Sequence, residues 1–496
     1  MQRRAIHTCL VAVFTLGALS PARADLSISK KATHDVSCSG GVCTATAKNA
    51  NLNVSDLTNM LATGDLTVQS GNDDNTAAGI EIIDGLSWTS ISRLTLTARH
   101  NIIVKAPITV AGQGAFTLTC GTANPDGDLL FEQNGKIDFW DLNSSFVVNG
   151  TAYLLLDKIA TLASAIQANH FGHFAFAKDY DASIDGTYSW SPVRTKLRGT
   201  LNGLGHTVAN LKLNIIFNDD SPGTCAGLFS EIGRGGGVVN FNLTAADLQV
   251  SGNGGAGILA CHNFGLVAHD STSGEFLSLS ANPQADGGMI VENFGAIEDA
   301  RANVRMNLDG ASGSSIGELA AVSLGTITSS FSKGSIRTNA DGQQQLVSVG
   351  AIAGFNVGVI ENSYSATTLV NGSENCCNTN VGGLVGSNTR AGHKVGKIIA
   401  SYAAGQLRNR SAACCSGGVI GSDAEGKATA AYWDLDTGIK DPSRGAGNIS
   451  NDPGITGLTD AQLKSGLPDG FDPKIWGQSP SINNGYPYLL ANPPPK

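Results

Sequence analysis

Charge is scarce in this sequence. Aspartate, glutamate, lysine and arginine together make up 15% of 496 residues, aromatic residues 6%, and methionine occurs only four times. A chain with so few cations and a formal charge of −9 lacks the clustered Lys and Arg that nucleic acid or an anionic membrane surface requires. Long hydrophobic runs are missing too. No stretch reaches the roughly 18 uninterrupted apolar residues of a bilayer span, so no transmembrane anchor is expected. Helical periodicity is absent from most of the chain.

What is present begins with "MQRRAIHTCLVAVFTLGALSPARA": an Arg pair, an apolar run from Cys9 to Leu19 and an Ala-x-Ala end. This pattern predicts a cleaved secretory signal, with cleavage after Ala24. Loss of Arg3, Arg4 and Arg23 takes the formal charge from −9 to −12. The product is expected at the cell surface or outside the cell, with the periplasm as the other address.

Ten cysteines become nine once Cys9 departs, an odd number where disulfides can form. "CSGGVC" places Cys38 and Cys43 for a local bridge. Vicinal pairs follow at Cys376–Cys377 and Cys414–Cys415, in equivalent places of successive repeat copies. A disulfide between copies fits if one copy is one coil, because neighbouring strands lie about 4.8 Å apart, and fails if a copy is two coils. Zinc at these four thiols is the weaker reading, since their spacing is not that of structural zinc ligands.

Glycine reaches 62 residues and recurs in a pattern. "VGAIAGFN" (349–356) and "VGGLVGSN" (381–388) are two copies of a Gly-apolar-apolar segment that also appears around 226, 257, 288, 317 and 417. Within "TITSSFSKGSI" apolar residues alternate, the period of a strand with one buried face. A fixed period of about 30 to 35 residues means units that bury their apolar faces by stacking. The fold class predicted is all-β, a right-handed parallel β-helix, with Gly257, Gly287, Gly317, Gly350, Gly382 and Gly417 at corners that need positive φ. One amphipathic helix is expected over 156–169, from Ile159, Leu162, Ala163 and Ile166. The chain divides into an N-terminal β-helical region (25–150), a helix-bearing junction (151–215), the repeat array (216–438) and a C-terminal cap and tail (439–496).

"ASAIQANHFGHFAFAKDYDAS" (163–183), "LRGTLNGLGHTVANLKL" (197–213) and the Gly-Leu-Phe and Gly-Gly-Leu-Val-Gly copies resemble bacterial secreted proteins carrying the GLUG motif, related to filamentous-haemagglutinin-type adhesins. "NVSDLTNMLATGDLTVQSG" (53–71) and the ending from "YWDLDTG" are similar to flanking parts of such proteins. The resemblance implies a right-handed β-helix and a surface or extracellular adhesin. It carries over no catalytic residues.

Candidate chemistry is sparse. Asp73 and Asp74 form a vicinal acidic pair in a polar turn, but the companion segments of a polygalacturonase are absent, and a solvated turn is expected. His170 and His173 lack a third metal ligand, and His262 beside Cys261 reads as decoration of a coil corner. Asp179, Asp181 and Asp185, with Asp434 and Asp436, lack the pattern of a calcium loop and read as turn residues. "NPDG" (124–127) reads as a β-turn. Trp476, Tyr486 and Tyr488 read as a cap over the open end of the β-helix. The expectation is a non-enzymatic binding protein, adhesin-like, with no metal or cofactor. Its partner is a surface ligand, a glycan or a cell-surface protein. A polysaccharide hydrolase or lyase is the alternative, and a matrix or envelope component the third reading.

Overall fold

The computed structural model describes residues 25–123, 127–217, 225–279, 285–308, 314–338, 346–372, 379–409 and 415–494. The signal segment, Cys376, Cys377, Cys414 and Asn124 to Asp126 lie outside these residues. The fold is all-β, and nearly all its strands pair in parallel, forming the long sheets that a β-helix builds.

In the repeat array three sheets run side by side. The first takes one short strand per copy, from Cys225–Ala226 and Gly255–Gly257 through to Ser416–Gly417. The second runs from Phe229–Ile232 through Ala260–Asn263 to Ile420–Ala424. The third begins at Gly237–Val239 and is built from the rest of each copy. Tyr364 pairs directly with Tyr402, so one copy is one circuit of the chain.

Stacking turns equivalent positions into columns. Val238, Val267, Ile297, Ile327, Ile360 and Ile398 are successive register partners, all fully buried. Beside them runs a polar column, Asn263, Asn293, Ser323, Asn356, Asn388 and Asp423. Asn263 Nδ2 donates to Asn293 Oδ1 at 2.9 Å, as Asn356 Nδ2 does to Asn388 Oδ1. The same side chains hold the next turn, where the Gly358 amide donates to Asn356 Oδ1 at 3.1 Å. A buried amide side chain is tolerated when its hydrogen bonds are made.

The six repeat glycines are register partners, as the period requires. The reason for glycine differs from the expected one. None has positive φ. They lie where the first sheet hands over to the second and the backbone approaches itself: a Cβ on Gly350 would sit 2.1 Å from the Ala353 carbonyl oxygen and 2.5 Å from the Gly386 amide. Positive φ falls instead in the third sheet, at Asn240, His269, Asp299, Ser329, Asn362 and Ala400. Asn, Asp and His tolerate that region better than most side chains.

The N-terminal half is also three-sheeted. One of its sheets pairs Leu129–Phe131, Ile102–Val104, Ile80–Ile82, Leu26–Ser29 and Asn51–Asn53 in parallel. The N-terminal half joins the helix-bearing junction through strand Thr151–Leu156, which pairs with Phe146–Val148 on one side and His173–Phe176 on the other, and through the Ile137 amide, which donates to the Leu204 carbonyl at 3.1 Å. A helix the sequence reading missed, α1 (Val54–Leu61), is capped by Asn53 and buries Leu57 and Leu61. The expected helix is α2 (Ile159–Ala168), shorter at its start because residues to Leu156 extend a strand.

The C-terminal segment covers the last circuit, where the Gly418 and Val419 amides donate to the Arg444 and Gly445 carbonyls at 2.9 and 3.0 Å, and then continues beyond it. After strand Ile455–Leu458 extends the third sheet by one more rung, the chain turns back along the outside. There Phe331, Tyr364 and Tyr402 stack with centroids 4.9 and 5.2 Å apart, and Trp476, Phe471 and Leu489 bury the stack. Trp476 Nε1 donates to Asn362 at 3.2 Å, and Asn492 reaches the Ala300 carbonyl at 3.2 Å. The tail thus straps several circuits together.

Two predictions follow from this core. Asn388→Ala takes from the Asn356 amide its closest acceptor, leaving carbonyls at 3.4 and 3.5 Å, and should lower unfolding free energy by about 1–3 kcal/mol in urea denaturation; an unchanged midpoint would deny the ladder its role. Glu318 is fully buried, and burial pushes its carboxyl up to about 8, against the opposing hydrogen bonds from Thr367, Val304 and Gly334. A carboxyl raised on folding contributes most below its unfolded pKa, and that contribution is lost as pH rises through the folded value. Stability of the native chain relative to Glu318→Gln should therefore fall between about pH 4.5 and 8, by on the order of a few kcal/mol. Parallel curves would remove Glu318 as the cause.

Candidate functional site

An open groove of about 510 Å³ lies on the outer wall, lined by Phe171, Lys196, Arg198, Glu231, Arg234 and Phe264. Three segments supply it. Residues 193–198 run parallel to strand Phe229–Ile232, with Val193 and Leu197 turned inward, so Lys196 and Arg198 point out. The loop after α2 brings Phe171, 58% exposed, beneath Arg198, whose guanidinium carbon is 5.6 Å from the ring centroid. His170 fixes that loop by accepting from the Arg198 and Gly199 amides at 2.7 and 2.9 Å. Phe264 follows the ladder residue Asn263 and is stacked on Phe294 at 4.6 Å with planes 5° apart.

The groove is cationic on an acidic chain. Glu231 is engaged by Lys196 at 2.8 Å. Neither Arg198 nor Arg234 has an acidic partner within 4 Å among the described residues. Two guanidinium groups beside flat apolar rings suit a ligand that carries both carboxylate or sulfate groups and C–H faces. Glu231 is the one carboxylate among the residues that line the groove, and it is paired with Lys196.

Beside the groove, strand register lines up Glu231, His262 and Glu292. His262 Nε2 is 3.2 Å from Glu292 Oε2, 3.6 Å from Cys225 Sγ and 3.7 Å from Cys261 Sγ. Cys225 and Cys261 are bridged, with Cα atoms 5.3 Å apart across two circuits. The sequence reading proposed neither this bridge nor any metal-ligating set here, yet Cys225, Cys261 and His262 are the one such cluster among the described residues.

The expected bridge between Cys38 and Cys43 forms across a hairpin. Cys415 is a free thiol; Cys376, Cys377 and Cys414, the other members of the possible inter-copy bridges, lie outside the described residues. Cys120 is free and buried, and burial pushes its thiol up to about 12.

The other candidates are structural. Asp74 is almost fully exposed and paired with Arg99, the first cause of its lowered pKa, and Asp73 caps its own turn at the Asn75 amide. The rings of His170 and His173 lie against Phe171 and Tyr153, apart from each other's contacts. Asp179 binds His206, Lys136 and the Thr207 amide, and His206 chiefly holds its carboxyl well below the usual range. Asp181 caps a 3-10 turn, Asp185 accepts from Tyr180 and Tyr188, Asp434 accepts from Tyr486, and Asp436 accepts from the Asp460 amide. Sequence reasoning missed every groove residue. The available signals were the alternation in "VRTKLRG" and the repeated "NFG" at 263–265 and 293–295.

No family model matches the chain. Over 232 residues it is 25% identical to halomucin of Haloquadratum walsbyi (strain DSM 16790 / HBSQ001), a match that takes in 43% of this chain and 2% of that protein. A solved structure of a candidate immunoglobulin A1 protease from Bacteroides ovatus is 15% identical, with a TM-score of 0.41, covering 68% of this chain and 93% of the other. Among the described residues no helix is long and apolar enough to cross a membrane.

The bridge between Cys225 and Cys261 closes a 36-residue separation. Replacing both cysteines by alanine should lower stability by up to about 4 kcal/mol on a loop-entropy basis, read as a lower denaturation midpoint. An unchanged midpoint would show that the stack alone fixes these circuits.

Proposed function

We propose that this chain is an exported right-handed β-helix of the GLUG-repeat, filamentous-haemagglutinin-like kind, acting at the cell surface or outside the cell as an adhesin-like binding protein without a catalytic centre. In-register circuits of 30 to 35 residues support the architecture. Two disulfides support a compartment outside the reducing cytosol.

The observation that carries the binding role is the groove, with Arg198 and Arg234 free of acidic partners and set among Phe171 and Phe264. Its ligand in this reading is an anionic polysaccharide. Rings take the C–H faces of the sugar units and guanidinium groups take the carboxylates or sulfates. The ligand must overcome a chain that is acidic as a whole, so recognition is confined to this patch and weakens with salt.

Affinity for a polyuronate and for an uncharged polysaccharide should be measured by calorimetry with the purified protein. The polyuronate should bind more tightly, and the double variant Arg198→Ala, Arg234→Ala should lose about ten-fold or more in affinity while keeping its thermal midpoint. Equal binding of both polymers, or an unchanged affinity in the double variant, would overturn the reading. Shortening of the polymer by the native protein would replace it with the enzymatic one.

A further inference from the structure

His262 Nε2 faces three donor atoms on three different strands: Cys225 Sγ at 3.6 Å, Cys261 Sγ at 3.7 Å and Glu292 Oε2 at 3.2 Å. A tetrahedral zinc ion with its usual bond lengths separates a thiolate sulfur from an imidazole nitrogen by roughly 3.5 Å, and an imidazole nitrogen from a carboxylate oxygen by roughly 3.4 Å. The observed spacings around Nε2 match both, and since Cys261 Sγ lies nearer still to Nδ1, at 3.2 Å, a turn of the imidazole ring is part of forming the site. What differs is the pair of sulfurs, bonded here, which zinc would hold roughly 3.8 Å apart. Side-chain rotation suffices for that change, because the two Cα atoms are 5.3 Å apart and the strands that carry them stay paired with their neighbours.

The donor set is soft and borderline, two sulfurs with one imidazole, which favours zinc over calcium or magnesium. The strands fix it. Cys225 comes from the first sheet, Cys261 and His262 from the second sheet one circuit later, and Glu292 from the circuit after that, in register with His262. His262 is about one-third exposed, so solvent and an ion have access. The three ligand atoms lie within 4.8 Å of one another, and no other three donors among the described residues do so.

We infer that Cys225, Cys261 and His262 form a thiol-gated zinc site, with Glu292 at the fourth position. In the oxidised protein the Sγ–Sγ bond blocks it. A dithiol reductant opens it: two electrons and two protons pass from the dithiol to the sulfurs, and the dithiol itself becomes a disulfide. Zinc then displaces both thiol protons to solvent. The inference does not rest on the proposed binding role.

The test is zinc stoichiometry by equilibrium dialysis of the full-length exported protein, oxidised and after treatment with a dithiol, with cobalt as a spectroscopic substitute that reports thiolate ligation. The oxidised protein should bind no zinc, and reduction should create a site showing cobalt–thiolate charge transfer. His262→Ala leaves both cysteines in place, and it should abolish that site. Glu292→Gln should weaken it about ten-fold. The quadruple variant Cys376→Ser, Cys377→Ser, Cys414→Ser, Cys415→Ser should retain it, which separates this cluster from the vicinal pairs. Zinc bound equally before and after reduction, binding untouched in His262→Ala, or binding lost only in the quadruple variant would each overturn the assignment.

Discussion

Everything in this protein depends on circuits stacking in register at the strand spacing of about 4.8 Å. A residue tolerated at one rung has to be compatible with its counterpart above and below. Where the first sheet meets the second, the approach is so close that Gly350 and Gly382 leave no room for a Cβ, which would fall 2.1 and 1.9 Å from carbonyl oxygens. The same constraint arranges one set of interior polar groups as a ladder. Asn356 needs an acceptor on the next rung, Asn388 supplies it, and Asp423 ends the run by offering Asn388 an oxygen. Burial raises the Asp423 carboxyl to about 6, the consequence of closing a hydrogen-bonded column with an acid in the core.

This constraint explains what could be read from sequence. Period, strand content and the equivalence of the six glycines are visible because each recurs once per circuit. The ladder was visible too, in the final Asn of "VGAIAGFN" and "VGGLVGSN", although its meaning emerges only when the two residues are placed one above the other. The φ assignment failed because glycine answers two distinct demands, a left-handed backbone and a missing Cβ. Sequence spacing alone does not distinguish them. Asn362 and Ala400 carry the left-handed role within segments that look like ordinary strand.

Groove and thiol cluster were illegible for a different reason. Phe171 and Phe264 are far apart in sequence and belong to unlike segments, a loop after α2 and a repeat turn. Cys225 and Cys261 break the 38-residue spacing that tied the vicinal cysteines together, because they join different sheets on neighbouring circuits. A repeat makes like positions adjacent, and sequence comparison finds those. Contacts between unlike positions depend on how the sheets meet at a corner, which no period records.

Stacking that builds inward columns builds outward ones as well, and two aromatic stacks on the outside of the circuits have opposite fates. Phe331, Tyr364 and Tyr402 are sealed by the tail, with Tyr402 hydrogen-bonded to the Pro487 carbonyl at 2.6 Å. Phe264 and Phe294 remain partly exposed and sit among Lys196, Arg198, Arg234 and His262. An exposed aromatic column loses favourable burial unless something covers it. Where the chain has its own cover, the surroundings are apolar and the polar groups are matched to the tail. Where it has none, the surroundings are cationic, and that charge tells against a covering segment of the same kind. The difference between these two stacks is what favours the second as the ligand surface proposed above, with the sulfur and imidazole cluster at its edge.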